Sequence, residues 1–158
     1  MSCLLENRIV HLEVVTKLLS NRGWSIALLN PFTAAQFASL TTPVHRSLIE
    51  HYDESRAIAI GAFGPDGPLG LSLAVPERGT ATILSVYVSR NFRGCGIGRE
   101  LLLDVIEQAR KIGYRSMHGD TLPAMTAALT MYEQLGFRRT PPYAEPPTPG
   151  AIYLELTL

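Results

Sequence analysis

Charge of one sign is the first thing this sequence does without. Fourteen Lys and Arg are matched by fourteen Asp and Glu, for a formal net charge of zero. A neutral chain lacks the basic field that non-specific nucleic-acid binding needs, so no nucleic-acid partner is expected. No long acidic or basic tail is present either. Cysteine is scarce: Cys3 and Cys95 stand far apart and make no disulfide framework, which favours a reducing compartment. The four histidines show no ligand spacing, so no metal site is expected. Long apolar runs are also missing. Runs such as 57–63 fall far short of the roughly 20 residues a helix needs to cross a bilayer. Glu6 and Arg8 interrupt the apolar start of the chain, which does not read as a signal peptide. These absences point to a soluble cytoplasmic protein with no membrane contact.

What is present is enough apolar material for a core. Hydrophobic residues make up 46% of the 158 and charged residues 18%, which suits a single folded domain over 1–158. Leu5, Ile9, Leu12, Thr16 and Leu19 recur at helical spacing, so 4–20 is expected to be a helix, with Gly23 suited to its left-handed cap. Trp24–Leu29 reads as a short strand. Thr33 and Pro43 open two short helices, one to Leu40 and one over Val44–Tyr52. The period then changes. Arg56–Phe63 and Leu69–Val75 flank Gly64-Pro65-Asp66-Gly67-Pro68, a hairpin signal. Thr80–Val88 alternates, is rich in β-branched residues and reads as a third strand.

Ile97–Ile112 carries Leu101, Leu102, Val105, Ile106 and Ala109 at helical spacing and stops at Gly113. Arg115–Thr121 is a further strand. Pro123 opens a helix through about Leu135, with Gly136 as its stop. Phe137–Thr140 and Ala151–Leu158 read as closing strands. Five prolines restrict the loop Pro141–Gly150. Hairpins mixed with strand–helix–strand crossovers give an α+β (mixed α/β) class.

The chemistry begins at Arg93-Gly94-Cys95-Gly96-Ile97-Gly98, between the third strand and the long helix. Glycines leave little side-chain bulk there. Backbone N–H groups of such a loop can turn onto an anion, and the helix N-terminus favours negative charge. Arg93 adds a fixed positive charge. The loop is therefore a candidate pyrophosphate cradle, or else a tight turn with no ligand. It is not a P-loop, because Arg99-Glu100 follows Gly98 where Lys and Ser or Thr would be needed. It is not a dinucleotide fingerprint, because Arg99 stands where the third glycine belongs.

Val86-Tyr87-Val88 followed by Arg93-x-x-Gly96-x-Gly98 resembles the acetyl-CoA signature of the GCN5-related N-acetyltransferase (GNAT) superfamily. Met131-Tyr132-Glu133-Gln134-Leu135-Gly136-Phe137 is similar to that superfamily's second signature, Leu-Tyr-x-x-Leu-Gly-Phe. The two occur in the family's order, with a helix and a strand between them. The resemblance covers 56–158, and residues 1–23 look like a helical extension. It implies a mixed, mostly antiparallel sheet flanked by helices, whose middle strands splay apart. It implies that the strands matching Thr80–Val88 and Arg115–Thr121 admit the pantetheine arm near Val86, Tyr87 and Val88. It implies a pyrophosphate site on Arg93, Gly94, Cys95, Gly96, Ile97, Gly98 and Arg99. It implies acetyl transfer from acetyl-CoA to a primary amine of a small molecule or peptide, with no metal. A homodimer is also in keeping with it. The alternative is a non-catalytic module that binds acyl-CoA and regulates a partner.

Attack of an amine on a thioester needs a proton acceptor, a donor for the oxygen that gains charge, and an acid for the departing thiolate. A strand N–H such as that of Val86 can be the donor. Tyr132 matches the superfamily tyrosine that faces the CoA sulfur, which makes it the candidate acid. The base is less apparent. Relatives often carry a Glu in the strand before the glycine loop, but Thr80–Val88 holds no carboxylate and Thr82 stands near that place. A water chain can deprotonate the amine instead, or another side chain can, with Glu50, His51, Asp53, Glu54, His118 and Asp120 as the candidates. Cys95 stands where relatives often have a basic residue. Met125 stands where many have an Asn, though Asp120-Thr121-Leu122-Pro123-Ala124-Met125 resembles a subgroup with Asp-Thr-Leu-Pro-x-Met. By the same resemblance the loop Pro141–Gly150, with Tyr143 and Glu145, walls the acceptor site, or else it is a plain surface connection.

Overall fold

The structure is a computed structural model that describes residues 16–19, 24–28, 58–64, 67–77 and 79–158. Within them the chain forms β1 (Thr16–Leu19), β2 (Trp24–Leu28), β3 (Ile58–Gly64), β4 (Gly67–Glu77) and β5 (Thr80–Val88). A 3-10 turn, Arg90–Phe92, then leads to helix α1 (Ile97–Ile112), followed by β6 (Ser116–Thr121), α2 (Thr126–Gln134), β7 (Arg138–Arg139) and β8 (Ile152–Thr157). The strands make one sheet in the order β1-β2-β3-β4-β5-β6-β8-β7. All neighbours are antiparallel except β5 and β6, the pair joined by the α1 crossover. The α+β class and the mostly antiparallel sheet expected from the sequence are both present.

Helix α1 forms because its apolar positions recur every three to four residues. Ile97, Leu101, Leu102, Val105, Ile106 and Ala109 are all buried, and the helix packs on β3, β4 and β5. Gly113 ends it in the left-handed conformation, donating its N–H to the carbonyls of Ala109 and Arg110. Ile58–Ala62 of β3 are buried on both faces, which suits a strand deep inside a sheet. Gly70 of β4 allows a close approach: a Cβ there would stand 2.7 Å from the Tyr87 carbonyl oxygen and 3.2 Å from Leu101.

The middle of the sheet opens for two reasons. The β4–β5 register shifts between Leu73–Ser85 and Ala74–Ile83, so Leu84 is an extra residue on β5. A bulge of this kind bends and twists its strand. Pairing between β5 and β6 is confined to Ala81–Met117 and Thr82–His118. Past those pairs the two strands separate, while β6 stays paired with β8 over all six of its residues.

Two expectations need correction. Thr16–Leu19 is not the end of a helix over 4–20. It is an edge strand, with Thr16 opposite Ala27 and Leu19 opposite Trp24. Cross-strand pairing with an apolar neighbour overrides the helical spacing there. The rest of that helix, and those expected at 33–40 and 44–52, lie outside the described residues. The helix expected from Pro123 begins at Thr126. A preceding turn, in which the Met125 N–H bonds to the Leu122 carbonyl at 2.9 Å, takes up Pro123.

Candidate active site

A cavity of about 1090 Å³ follows the gap between β5 and β6 and runs under the start of α1 and along α2. That is as large as a pocket for a drug-sized molecule or larger, so a long ligand fits. Val86, Tyr87 and Val88 line one side, Asp120 and Thr121 the other, and Ala128, Met131 and Tyr132 of α2 close the wall. Val86, Val88, Ala128 and Met131 are partly buried against the core and make the walls apolar. Among the described residues, alternate N–H and C=O groups of β5 past Thr82 have no strand partner on the β6 side. Such an edge can pair with an extended ligand.

The glycine loop forms the cavity's other end. Gly94 and Gly96 have φ of 80° and 87°, in the left-handed region that favours glycine. The Glu100 N–H bonds back to the Gly96 carbonyl at 3.1 Å, which starts α1. The amides of Ile97, Gly98 and Arg99 precede that bond and lack a carbonyl one turn earlier, so they are free for an anion. Arg93 is tethered by its Nε, which donates to the Val88 carbonyl at 2.9 Å. Its guanidinium carbon stands 5.9 Å from the Tyr87 ring centroid. That leaves the remaining guanidinium N–H groups for a phosphate and takes the Val88 carbonyl out of ligand pairing.

Arg93, Gly94, Gly96, Ile97, Gly98 and Arg99 all border the cavity, whereas Cys95 stands outside it. The exposed thiol of Cys95 lies 3.9 Å from the Arg93 carbonyl oxygen. Ile97 offers only its backbone, because its side chain is in the core. A Cβ on Gly98 would meet Val88, Met131 and Val86 at 3.6–4.0 Å, ordinary contact that would nevertheless fill space beside the ligand.

Tyr132 is brought to the gap by α2 and by a missing side chain on β6. Its ring lies on Gly119, where a Cβ would come within 3.2 Å of it. The ring packs edge-on against Phe137 with centroids 5.0 Å apart. Only 5% of Tyr132 is exposed, yet it borders the cavity. Burial, and then the Asp120 carboxylate, push its pKa above the usual phenol range. The hydroxyl therefore keeps its proton and has it to offer to a ligand acceptor.

Sequence reasoning missed Thr121. It is 5% exposed, and its Oγ1 is buried with no hydrogen-bond partner. Leaving such a group unsatisfied costs about 1–3 kcal/mol. It borders the cavity, so a polar ligand atom can satisfy it. An acyl-CoA arm, with amide and thioester groups in an apolar sleeve and a pyrophosphate at a helix N-terminus, fits the groups present.

The base candidates divide. Glu50, His51, Asp53 and Glu54 lie outside the described residues. Thr82 is buried and pairs in register with His118. His118 stacks on Tyr143, with centroids 4.1 Å apart and planes 12° apart. Its Nε2 is 3.6 Å from Glu155. Tyr143 also meets Tyr153 edge-on at 4.8 Å and donates its hydroxyl to Asp120 Oδ1 at 3.3 Å. Burial, the charge of Asp120 and that hydrogen bond all raise its pKa above the phenol range. The Tyr153 hydroxyl in turn accepts the Thr148 N–H at 2.7 Å. The proline-rich loop is thereby fastened over β6 and β8. No group of His, Cys, Asp and Glu able to hold a metal occurs among the described residues.

Residues 19–137 match the family model described as the acetyltransferase (GNAT) family. An uncharacterized N-acetyltransferase of Schizosaccharomyces pombe is 31% identical over 125 residues, which are 69% of this chain and 76% of that protein. Among solved structures, an acetyltransferase of Bacillus subtilis in complex with CoA superposes with a TM-score of 0.67 at 21% identity, covering 84% of this chain and 97% of that one. A GNAT-family acetyltransferase of Elizabethkingia anophelis with acetyl-CoA bound gives 0.64 at 23% identity, covering 87% and 99%. The two signatures, the split sheet and the family match agree: the chain belongs to the GNAT acetyltransferase family.

Proposed function

We propose that the chain acetylates a primary amine of a small molecule or a peptide, with Tyr132 as the hydrogen-bond donor that faces the departing sulfur. The transfer itself is the family's, acetyl-CoA-dependent N-acetylation. Acetyl-CoA supplies the acetyl group as a thioester, which an amine attacks directly. In this reading the amides of Ile97, Gly98 and Arg99, with Arg93, hold the anionic end. The open backbone groups of β5 near Val86, Tyr87 and Val88, other than the Val88 carbonyl that Arg93 holds, pair with the arm. One N–H among them donates to the thioester oxygen as it gains charge. Tyr132 holds its proton at the phenol oxygen and donates it as a hydrogen bond toward the sulfur.

The observation that carries the reading is the buried phenol, kept protonated on Gly119 at the cavity wall. The reading places the protein in the cytoplasm as one domain. It is supported by the scarcity of cysteine, and no helix among the described residues is long and apolar enough to cross a membrane. The test is release of CoA thiol from acetyl-CoA over a panel of polyamines, amino acids, aminoglycosides and short peptides. Amine-dependent release is expected. Acetyl-CoA that binds and is never discharged by any amine would contradict transfer and favour a sensor.

A further inference from the structure

The side chains of β6 alternate between the two faces of the sheet. Met117, Gly119 and Thr121 are buried, and Gly119 meets Tyr132 of α2. His118 and Asp120 are less buried and project to the opposite face. Across the β6–β8 register His118 faces Glu155, and Asp120 faces Tyr153. Asp120 sits at the gap, where it borders the cavity. The face away from α2 is therefore a second approach to the same reacting end.

Asp120 is an exposed carboxylate with unusual support. One oxygen accepts the Tyr143 hydroxyl. Tyr143 is itself fixed between the stacked His118 ring and the edge-on Tyr153 ring. These two ring contacts hold Tyr143 with its hydroxyl donating to Asp120. No cation pairs with Asp120 among the described residues, and its second oxygen receives no hydrogen bond from them. Thr121, the next residue, turns its buried hydroxyl to the other face of the sheet, so Asp120 is the polar group of β6 that faces the second approach. A positioned carboxylate with spare acceptor capacity beside an apolar cavity recognises an ammonium group.

We infer that Asp120, held by Tyr143, is the docking group for the acceptor and selects amines that arrive as aliphatic ammonium ions. This rests on the proposed transfer reading and names its substrate class. The balance is simple. An ammonium and a thioester become an amide, a thiol and one proton. One proton of the ammonium leaves to water through the carboxylate before attack. A second goes to the sulfur as the C–S bond breaks and the C–N bond forms.

The test uses n-butylamine, cationic near neutral pH, and aniline, neutral there, titrated into the CoA-saturated protein and followed by NMR. The n-butylammonium ion is expected to bind the natural protein and to lose about tenfold or more of its affinity with Asp120→Asn. Aniline should not distinguish the two. Asp120→Glu, which keeps the charge, should bind n-butylammonium within about threefold of the natural protein. Tyr143→Phe should fall between. Unchanged n-butylammonium binding in Asp120→Asn, equal losses for both amines, or no binding to the natural protein would each overturn the inference. Failure of the transfer reading is separate, since it shows as absent CoA release by the natural protein.

Discussion

At the residue scale the proposed site turns on three side chains, those of Tyr132, Thr121 and Asp120. Thr121→Val removes the unpartnered hydroxyl while keeping the shape of the side chain. It should raise the stability of the ligand-free protein by about 1 kcal/mol and weaken acetyl-CoA binding several-fold. Denaturation and calorimetry read the two separately, and a loss of stability would show that the hydroxyl is already satisfied. Both Tyr132 and Tyr143 have pKa values raised by burial first and by Asp120 next. Their sign is that of acids kept neutral by folding. The stabilisation is complete below the ordinary phenol pKa of about 10 and is lost as pH rises above it. Tyr132→Phe should therefore show a shallower loss of stability at alkaline pH than the natural protein. Parallel curves would contradict the assigned burial. Tyr132 was legible because a motif carries it. Thr121 was not, because a missing hydrogen-bond partner is a tertiary fact. The pairing of Tyr143 with Asp120 has no local spacing to betray it either.

At the element scale two glycines, Gly98 on the cavity and Gly70 in the sheet, separate fold from function. Gly98→Ala places a methyl group in ordinary contact with Val88 and Met131, so the melting temperature should hold. Affinity for acetyl-CoA should drop by about tenfold, as expected when a close backbone approach is blocked. Gly70→Ala should do the reverse. Its Cβ meets the Tyr87 carbonyl oxygen at 2.7 Å, which forces β4 from β5 at a cost of about 1–3 kcal/mol. Helix α1 and strands β3 to β5 could be read from period alone, since their apolar residues follow one pattern over many positions. Strand β1 could not. Leu18 and Leu19 suit a helix or a strand equally, and only pairing with Trp24 and Ser25 decides. The start of α2 was missed for a similar reason, because Pro123 fits a helix's first turn as well as the turn it occupies.

At the scale of the whole molecule, one interrupted sheet serves both substrates in the proposed reading. The α1 and α2 face holds the glycine loop and Tyr132, and the opposite face holds Asp120 under the proline-rich loop. The opening needed the bulge at Leu84 and the short β5–β6 pairing, neither of which local sequence announces. A ligand lodged between the halves of the sheet should stabilise the whole fold. Acetyl-CoA at a hundredfold excess over its dissociation constant adds about 2.7 kcal/mol, a rise of roughly 5–10 °C in melting temperature. An unchanged melting temperature at saturating acetyl-CoA would refute binding in the gap.

The most direct test of the central claim compares Tyr132→Phe with the natural protein for acetyl-CoA affinity and for the rate of amine-dependent CoA release. The ring's packing on Gly119 and Phe137 survives that change, and the proton donor does not. Affinity within about threefold and a kcat lower by about tenfold or more are expected. A variant that turns over as fast as the natural protein would remove Tyr132 from the chemistry and contradict the account.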